Sequence, residues 1–346
     1  MSLLSMTTLL AAMQNSVLVL ESSKTGWRIH ENLKGTHPQC IAFDHRIPNR
    51  AYCGTFGEGL WKTDDNGLTW NSIGKNEISN SNIMSVSITP LKEGDDRGSS
   101  KVYVGTEPST LCVSSDGGES WEIMREFNKL ESSKTWSFPP RPWTHHVCWI
   151  EPDVNNSDYI FVAIEAGALV HSRDGGRTWI DRMKQGPYDT HTLATHKNAP
   201  KRLYSAAGDG YFESFDYGES WNKPTEGLKH YYLDGLAVDS TNPQNVIVSA
   251  SLSAQQAHYI KNAESFVYRK SVDGESWKVV SKGLPEPKGT IITIFASNPF
   301  NSGEFFALNN HGIFNSTDSG VSWRALDITW PKEYLLQHPW GLCVAN

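Results

Sequence analysis

The chain has 346 residues, 38% of them hydrophobic, enough to bury a large core. Its formal net charge of −7 argues against nucleic acid or an anionic membrane surface as a partner. Five cysteines (Cys40, Cys53, Cys112, Cys148 and Cys343) without tight spacing argue against a disulfide framework or a thiolate zinc site, and fit a reducing, cytoplasmic setting.

Residues 8–20, "TLLAAMQNSVLVL", have the apolarity of a secretory leader. No Lys or Arg precedes them, however, and Gln14 and Asn15 interrupt the run, so they are read as strands. No segment has the length and apolarity expected of a membrane-spanning helix. Further on, one phrase recurs: "LWKTDDNGLTW" (60–70), "LCVSSDGGESW" (111–121), "LVHSRDGGRTW" (169–179), "YFESFDYGESW" (211–221), "YRKSVDGESW" (268–277, one residue short) and "IFNSTDSGVSW" (313–323). The pattern is Ser/Thr-x-Asp-x-Gly-x-Ser/Thr-Trp. Its aspartates, Asp65, Asp116, Asp174, Asp216, Asp273 and Asp318, lie 42 to 58 residues apart, which suits one four-stranded antiparallel blade per repeat. Each part has a mechanical use. The carboxylate accepts N–H bonds within its own turn, Gly supplies φ > 0, and Trp offers a broad apolar face between neighbouring blades.

These residues resemble the Asp-box, or BNR, repeat of sialidases and related glycosyl hydrolase-like propellers, and the resemblance covers nearly the whole chain. The flanking strands agree with it, as in "CIAFD/AYCGT", "LATH/LYSAA" and "LAVD/VIVSAS". Six complete blades are expected between about residues 35 and 327. About residues 7–32 supply three more strands, with Trp27 where the repeated Trp belongs, and residues 335–346 supply one. The expectation is an all-β, seven-bladed β-propeller of four-stranded antiparallel blades spanning 6–346 as one domain. The N-terminal strands and the C-terminal strand close it by sharing a blade.

In such a blade the strands run A to D from the axis outward. The A–B and C–D turns then share one face, and the B–C and D–A connections share the other. Every repeated aspartate falls in a C–D turn and is expected to be structural. "RIP" at 46–48 resembles the arginine-bearing motif of sialidases, but it sits in an A–B turn and reads as a proline-containing turn. "EGDDRG" at 93–98 falls in another A–B turn and reads as a solvated loop.

The opposite face carries two long insertions, 127–146 and 252–265, where binding is expected. Histidines gather there. His37, His145, His191 and His338 each precede or open a strand A and are the candidate ligands for one divalent metal ion; His146, His230, His258 and His311 share the face. Glu58, Glu107, Glu165 and Asp209 in the B–C turns are candidate catalytic carboxylates. Arg141, Trp143, Tyr188, Tyr231, Tyr232, His311 and Trp340 are candidate ligand contacts.

Three functions remain open at this level. One is a small polar or carbohydrate-like ligand bound at the axis, with metal-assisted hydrolysis or elimination. A second is a glycosyl hydrolase using a carboxylate pair. The resemblance to sialidases implies an arginine clamp, for which Arg141, Arg125 and Arg182 are the available residues. Seven-bladed xyloglucanases with such repeats use two propellers facing a cleft, whereas this chain carries one. The third is a non-catalytic scaffold with a protein partner, as the similarity to photosystem II assembly factors and sorting receptors implies.

Overall fold

A computed structural model describes residues 7–90, 100–270 and 276–345. They form seven antiparallel sheets arranged as a seven-bladed propeller. The inner strands, Pro38–Phe43, Ile83–Ile88, Val147–Pro152, Thr190–Ala194, Tyr232–Val238, Ile294–Ser297 and Pro339–Val344, contact one another in that order all the way round. The last of them contacts the first. Five blades have four strands. In the blades that start at Val147 and Thr190 the fourth strand is reduced to single bridges, His171 to Ile180 and Glu213 to Asn222. Among the described residues the α-helix, Ala254–His258, is five residues long, and no helix is long and apolar enough to cross a membrane.

The ring is closed by the chain ends. Thr8–Met13 pairs with Val17–Ser23 on one side and with Pro339–Val344 on the other, Leu9 opposite Val344 and Ala12 opposite Gly341. Gln14 and Asn15, which break the apolar run, form the turn between the first two strands. Gln14 accepts the His338 N–H at 3.3 Å, and Asn15 donates its N–H to Gln337 at 3.1 Å. Trp27 lies in the outer strand Gly26–Asn32 and meets Phe306 of the preceding blade edge-on.

The core is seven apolar layers, one between each pair of adjacent blades. Successive residues of a strand point to opposite faces, so each strand feeds two layers. Phe305 packs toward the blade before it and Phe306 toward the blade after it; Ile247 and Val248 divide likewise. The repeated tryptophans Trp70, Trp121, Trp179, Trp221 and Trp323 each pack into the layer shared with the preceding blade.

The repeated turns consume their polar groups internally. In the first, the Thr63 hydroxyl accepts the Gly67 N–H (3.0 Å) and donates to Asp65 Oδ1 (2.7 Å). Asp65 then accepts the Thr69 N–H (2.9 Å) on Oδ1 and the Thr69 hydroxyl (2.6 Å) on Oδ2. Asp116, Asp174, Asp216 and Asp318 repeat this set. Asp273 and residues 93–98 lie outside the described residues. Gly67 has φ +88°, and a Cβ there would come within 2.8 Å of Val19 in the neighbouring blade, so glycine is required twice over. The residue after the aspartate also donates its N–H to the A–B turn of the same blade: Asn66 to Asn49, Gly175 to Asp158, Tyr217 to Lys201 and Ser319 to Gly303. Arg46 of the "RIP" turn is buried and bonds the carbonyls of Thr89 and Pro90 in the next blade, which makes it a tie between blades.

Two tests follow from these turns. Ser172→Ala leaves the buried Gly176 N–H without its acceptor and should lower unfolding free energy by about 1–3 kcal/mol in a urea titration. The turn carboxyls are easier to ionise in the fold than in the unfolded chain, Asp174 being drawn down to about 2 by the Thr178 hydroxyl and N–H. Their contribution is therefore full above the unfolded value near about 4 and is lost as pH falls through the folded values. The melting temperature should drop steeply between about pH 4 and pH 2, and an Asp174→Asn, Asp216→Asn double variant should flatten that limb.

Candidate functional site

On the face opposite the repeated turns, side chains from five blades meet around the axis. The B–C turn after Val102–Thr106 presents Glu107, and the turn after Ile160–Ile164 presents Glu165. The long connection before Val147 is firmly packed. Phe127 and Trp136 sit in the core, and the backbone of 138–144 folds on itself through bonds from Phe138 N–H to Thr144, Arg141 N–H to Phe138 and Thr144 N–H to Arg141. This turn aims Arg141 at Glu107, whose carboxylate it grips with both Nη2 (2.6 Å) and Nε (3.1 Å). The 252–265 loop is held from beneath by Ala257 and Ala263 against Ile291 and Ile292, which carries His258 toward the axis.

From Arg141 a continuous chain of ionisable groups runs round the mouth. His146, buried, has Nδ1 3.5 Å from Glu107 and Nε2 2.8 Å from Glu165. One donor atom each from Glu165, Asp189 and His191 lies within 4.8 Å of the others. His191 Nε2 is 3.6 Å from Asp189 Oδ1, and its Nδ1 donates to the Leu233 carbonyl at 2.6 Å and lies 4.0 Å from Asp234. Asp234 is 3.7 Å from His258 Nε2, which also meets the Tyr232 hydroxyl at 2.8 Å. His258 Nδ1 is 2.8 Å from His338 Nε2, and His338 stacks on Trp340 with ring centres 4.0 Å apart.

The electrostatics follow from too many carboxylates around too few cations. Burial disfavours charge on Glu165, but the bond from His146 and the nearby His146, His191 and His258 outweigh it and bring the carboxyl down to about 2. Burial raises Asp189 and Asp234, and the Glu165 charge adds to this against the pull of His191. Burial also works against a proton on His191, yet Asp234, Asp189 and Glu165 together push it up to about 9. His258 and His338 are desolvated and fall to about 4. Burial and the charge of Asp234 raise Tyr232.

The residues expected from sequence divide cleanly. Glu107, Glu165, Arg141, His191, Tyr232, His338 and Trp340 belong to this chain of contacts. His37, His145, His191 and His338 do not converge on one point. His37 is exposed on its loop, and His145 turns outward to pack edge-on against Trp136, because adjacent residues entering a strand face opposite ways. Glu58 and Asp209 are exposed; Asp209 accepts the N–H groups of Tyr188 and Asp189 at 3.4 and 3.3 Å and so positions Asp189. His311 bonds the Gly289 carbonyl at 3.1 Å, away from the carboxylates. Trp143 is 80% exposed at the tip of the Arg141 turn, and Tyr188 and Tyr231 are exposed beside Asp189 and Tyr232. Arg141, Arg125 and Arg182 do not form an arginine clamp. Arg141 is neutralised by Glu107, Arg182 bonds the Gly167 carbonyl, and Arg125 is exposed. Asp189 and Asp234 were missed, although each sits two residues from a selected residue, His191 or Tyr232, and strand alternation puts such pairs on one face.

No family model matches the chain. It is 22% identical over 314 residues to an oligoxyloglucan-reducing end-specific xyloglucanase of Emericella nidulans, a match covering 75% of this chain and 36% of that protein. The chain thus spans about a third of that relative's length. Among solved structures, an ancestral GH74 enzyme superposes with a TM-score of 0.61 at 18% identity, over 80% of this chain and 36% of that one. YCF48 bound to D1 peptide superposes with a TM-score of 0.54 at 16% identity, over 85% and 83%. At these identities the structural likenesses establish the propeller fold.

The Arg141–Glu107 grip gives a direct test. Arg141→Met leaves the buried Glu107 carboxylate with His146 alone and should cost about 1–3 kcal/mol, reduced from a fully buried pair by the partial exposure of Arg141. Adding Glu107→Gln should recover part of the loss, read as a coupling energy in a double-mutant cycle.

Proposed function

We propose that the axial mouth binds a neutral glycan and that the chain is glycosyl hydrolase-like. The observation that carries this reading is the pairing of three carboxylates fixed on rigid blades, Glu165, Asp189 and Asp234, with an exposed aromatic rim of Trp143, Tyr188, Tyr231 and Trp340. Sugar rings present apolar C–H faces that stack on such aromatics, and hydroxyls that donate to carboxylates. Hydrolysis needs a carboxylate pair, which this set supplies. The xyloglucanase relative supports a β-glucan as the ligand class.

A second reading has its own support. The superposition on YCF48 bound to D1 peptide covers most of both chains, whereas the GH74 likeness covers about a third of the enzyme. A peptide laid across the same mouth is the corresponding proposal, with Trp143 and Arg141 as its contacts.

Calorimetry with xyloglucan-derived oligosaccharides, together with a reducing-end release assay, tests the first reading. Saturable binding is expected. It should weaken at least about tenfold in Trp340→Ala and in Trp143→Ala, a loss of about 1.4 kcal/mol each, and cleavage should fall in Glu165→Gln. Binding that both aromatic variants leave unchanged, or no binding of any glucan oligosaccharide, would contradict it and favour the peptide reading.

A further inference from the structure

We propose that Glu165, Asp189 and His191 hold one first-row divalent cation of the Zn2+ or Mn2+ kind. The three come from two neighbouring blades, and each is oriented by a partner outside the trio. Glu165 Oε2 meets His146 Nε2 at 2.8 Å, Asp189 Oδ1 accepts the Ala166 N–H at 2.7 Å, and His191 Nδ1 donates to the Leu233 carbonyl at 2.6 Å. Metal-binding imidazoles characteristically donate their other nitrogen in this way, which fixes the tautomer and turns the remaining lone pair to the metal.

The nitrogen left for it is Nε2, on a side chain only 7% exposed and facing Asp189, where the cation would take the place of the ring's second proton. Its nearest hydrogen-bonding neighbour is the Tyr232 hydroxyl at 3.4 Å, beyond the usual range for such a bond. The carboxylate spacing points the same way. His191 Nε2 and Asp189 Oδ1 are 3.6 Å apart, too far for a good hydrogen bond. Donors about 2.1 Å from a tetrahedral ion lie about 3.4 Å from one another, so this separation is that of two ligands sharing an ion. Glu165 completes the set, one donor atom of each of the three residues lying within 4.8 Å of the others. Two carboxylates and an imidazole suit Zn2+ or Mn2+; Ca2+ and Mg2+ prefer oxygen alone.

The inference does not depend on glycan binding, since its test contains no sugar. Protein stripped with a chelator is titrated with ZnCl2 and with MnCl2 by calorimetry, and Co2+ is added separately to read the coordination geometry from its visible absorption. One equivalent of Zn2+ or Mn2+ should bind with a Kd in the micromolar range or below. His191→Ala and Glu165→Gln should each weaken binding at least about tenfold. His37→Asn, an exposed histidine on its own loop, should leave it unchanged. Circular dichroism shows whether each variant is folded, and if His191→Ala is not, Glu165→Gln decides. Binding weaker than about millimolar, or binding that Glu165→Gln and His191→Ala leave intact, overturns the proposal.

Discussion

The pairing of Thr8–Met13 with Pro339–Val344 is the interaction on which the other features depend. A propeller blade cannot bury both of its faces alone. Each apolar layer here lies between two blades, so an open ring would expose two of them together with a sheet edge. Drawing the seventh blade from residues 8–32 and 339–344 joins these two distant stretches of chain through backbone hydrogen bonds and side-chain ties. The Tyr334 hydroxyl, for instance, reaches Ser16 and Glu31 across about three hundred positions of sequence. The same closure brings His338 and Trp340 to the axis, where His338, stacked on Trp340, meets His258 of another blade.

The two faces of the ring use the same residue types for opposite ends. Aspartates in the C–D turns are surrounded by N–H and O–H donors from their own turn, which satisfy both oxygens and favour the ionised form. Aspartates at the axis are half-buried beside other carboxylates and share a few imidazoles at 3.6–4.0 Å, so ionisation is disfavoured. The first arrangement is closed and leaves no valence for a ligand. The second is held by contacts such as Ala166 N–H to Asp189 and His146 to Glu165, while Asp189 and Asp234 face the neighbouring imidazoles only at 3.6–4.0 Å. That contrast is the physical basis for proposing the ligand site on the axial face.

The fold was legible because it is written many times. Period, turn chemistry and the complementary chain ends all required seven blades, and Gln14–Asn15 marked a turn within an apolar run. The fourth strands after Ser172 and Ser214 were less legible, since their pairing shrinks to a single bridge each. At the candidate site, the face and most of the residues that meet there could be read. Histidines before strand A looked equivalent in sequence, but His145 and His146 face opposite ways, and His37 sits at φ +54° on an exposed loop. Selection by residue type favoured histidine and so passed over Asp189 and Asp234. His258 was placed on the right face, but its reach to the axis depends on a helical turn whose docking on Ile291 and Ile292 is a long-range contact that no local pattern reveals.

We propose that ring closure creates a ligand site at the axial mouth and leaves the turn face inert. A crystal structure of the protein grown with a xyloglucan-derived oligosaccharide tests this most directly. The account predicts sugar density lying against Trp340 and Tyr231, with hydroxyls within hydrogen-bonding distance of Glu165, Asp189 or Asp234. Ordered sugar on the C–D turn face, or along the outer strands with the axial mouth unliganded, would contradict it.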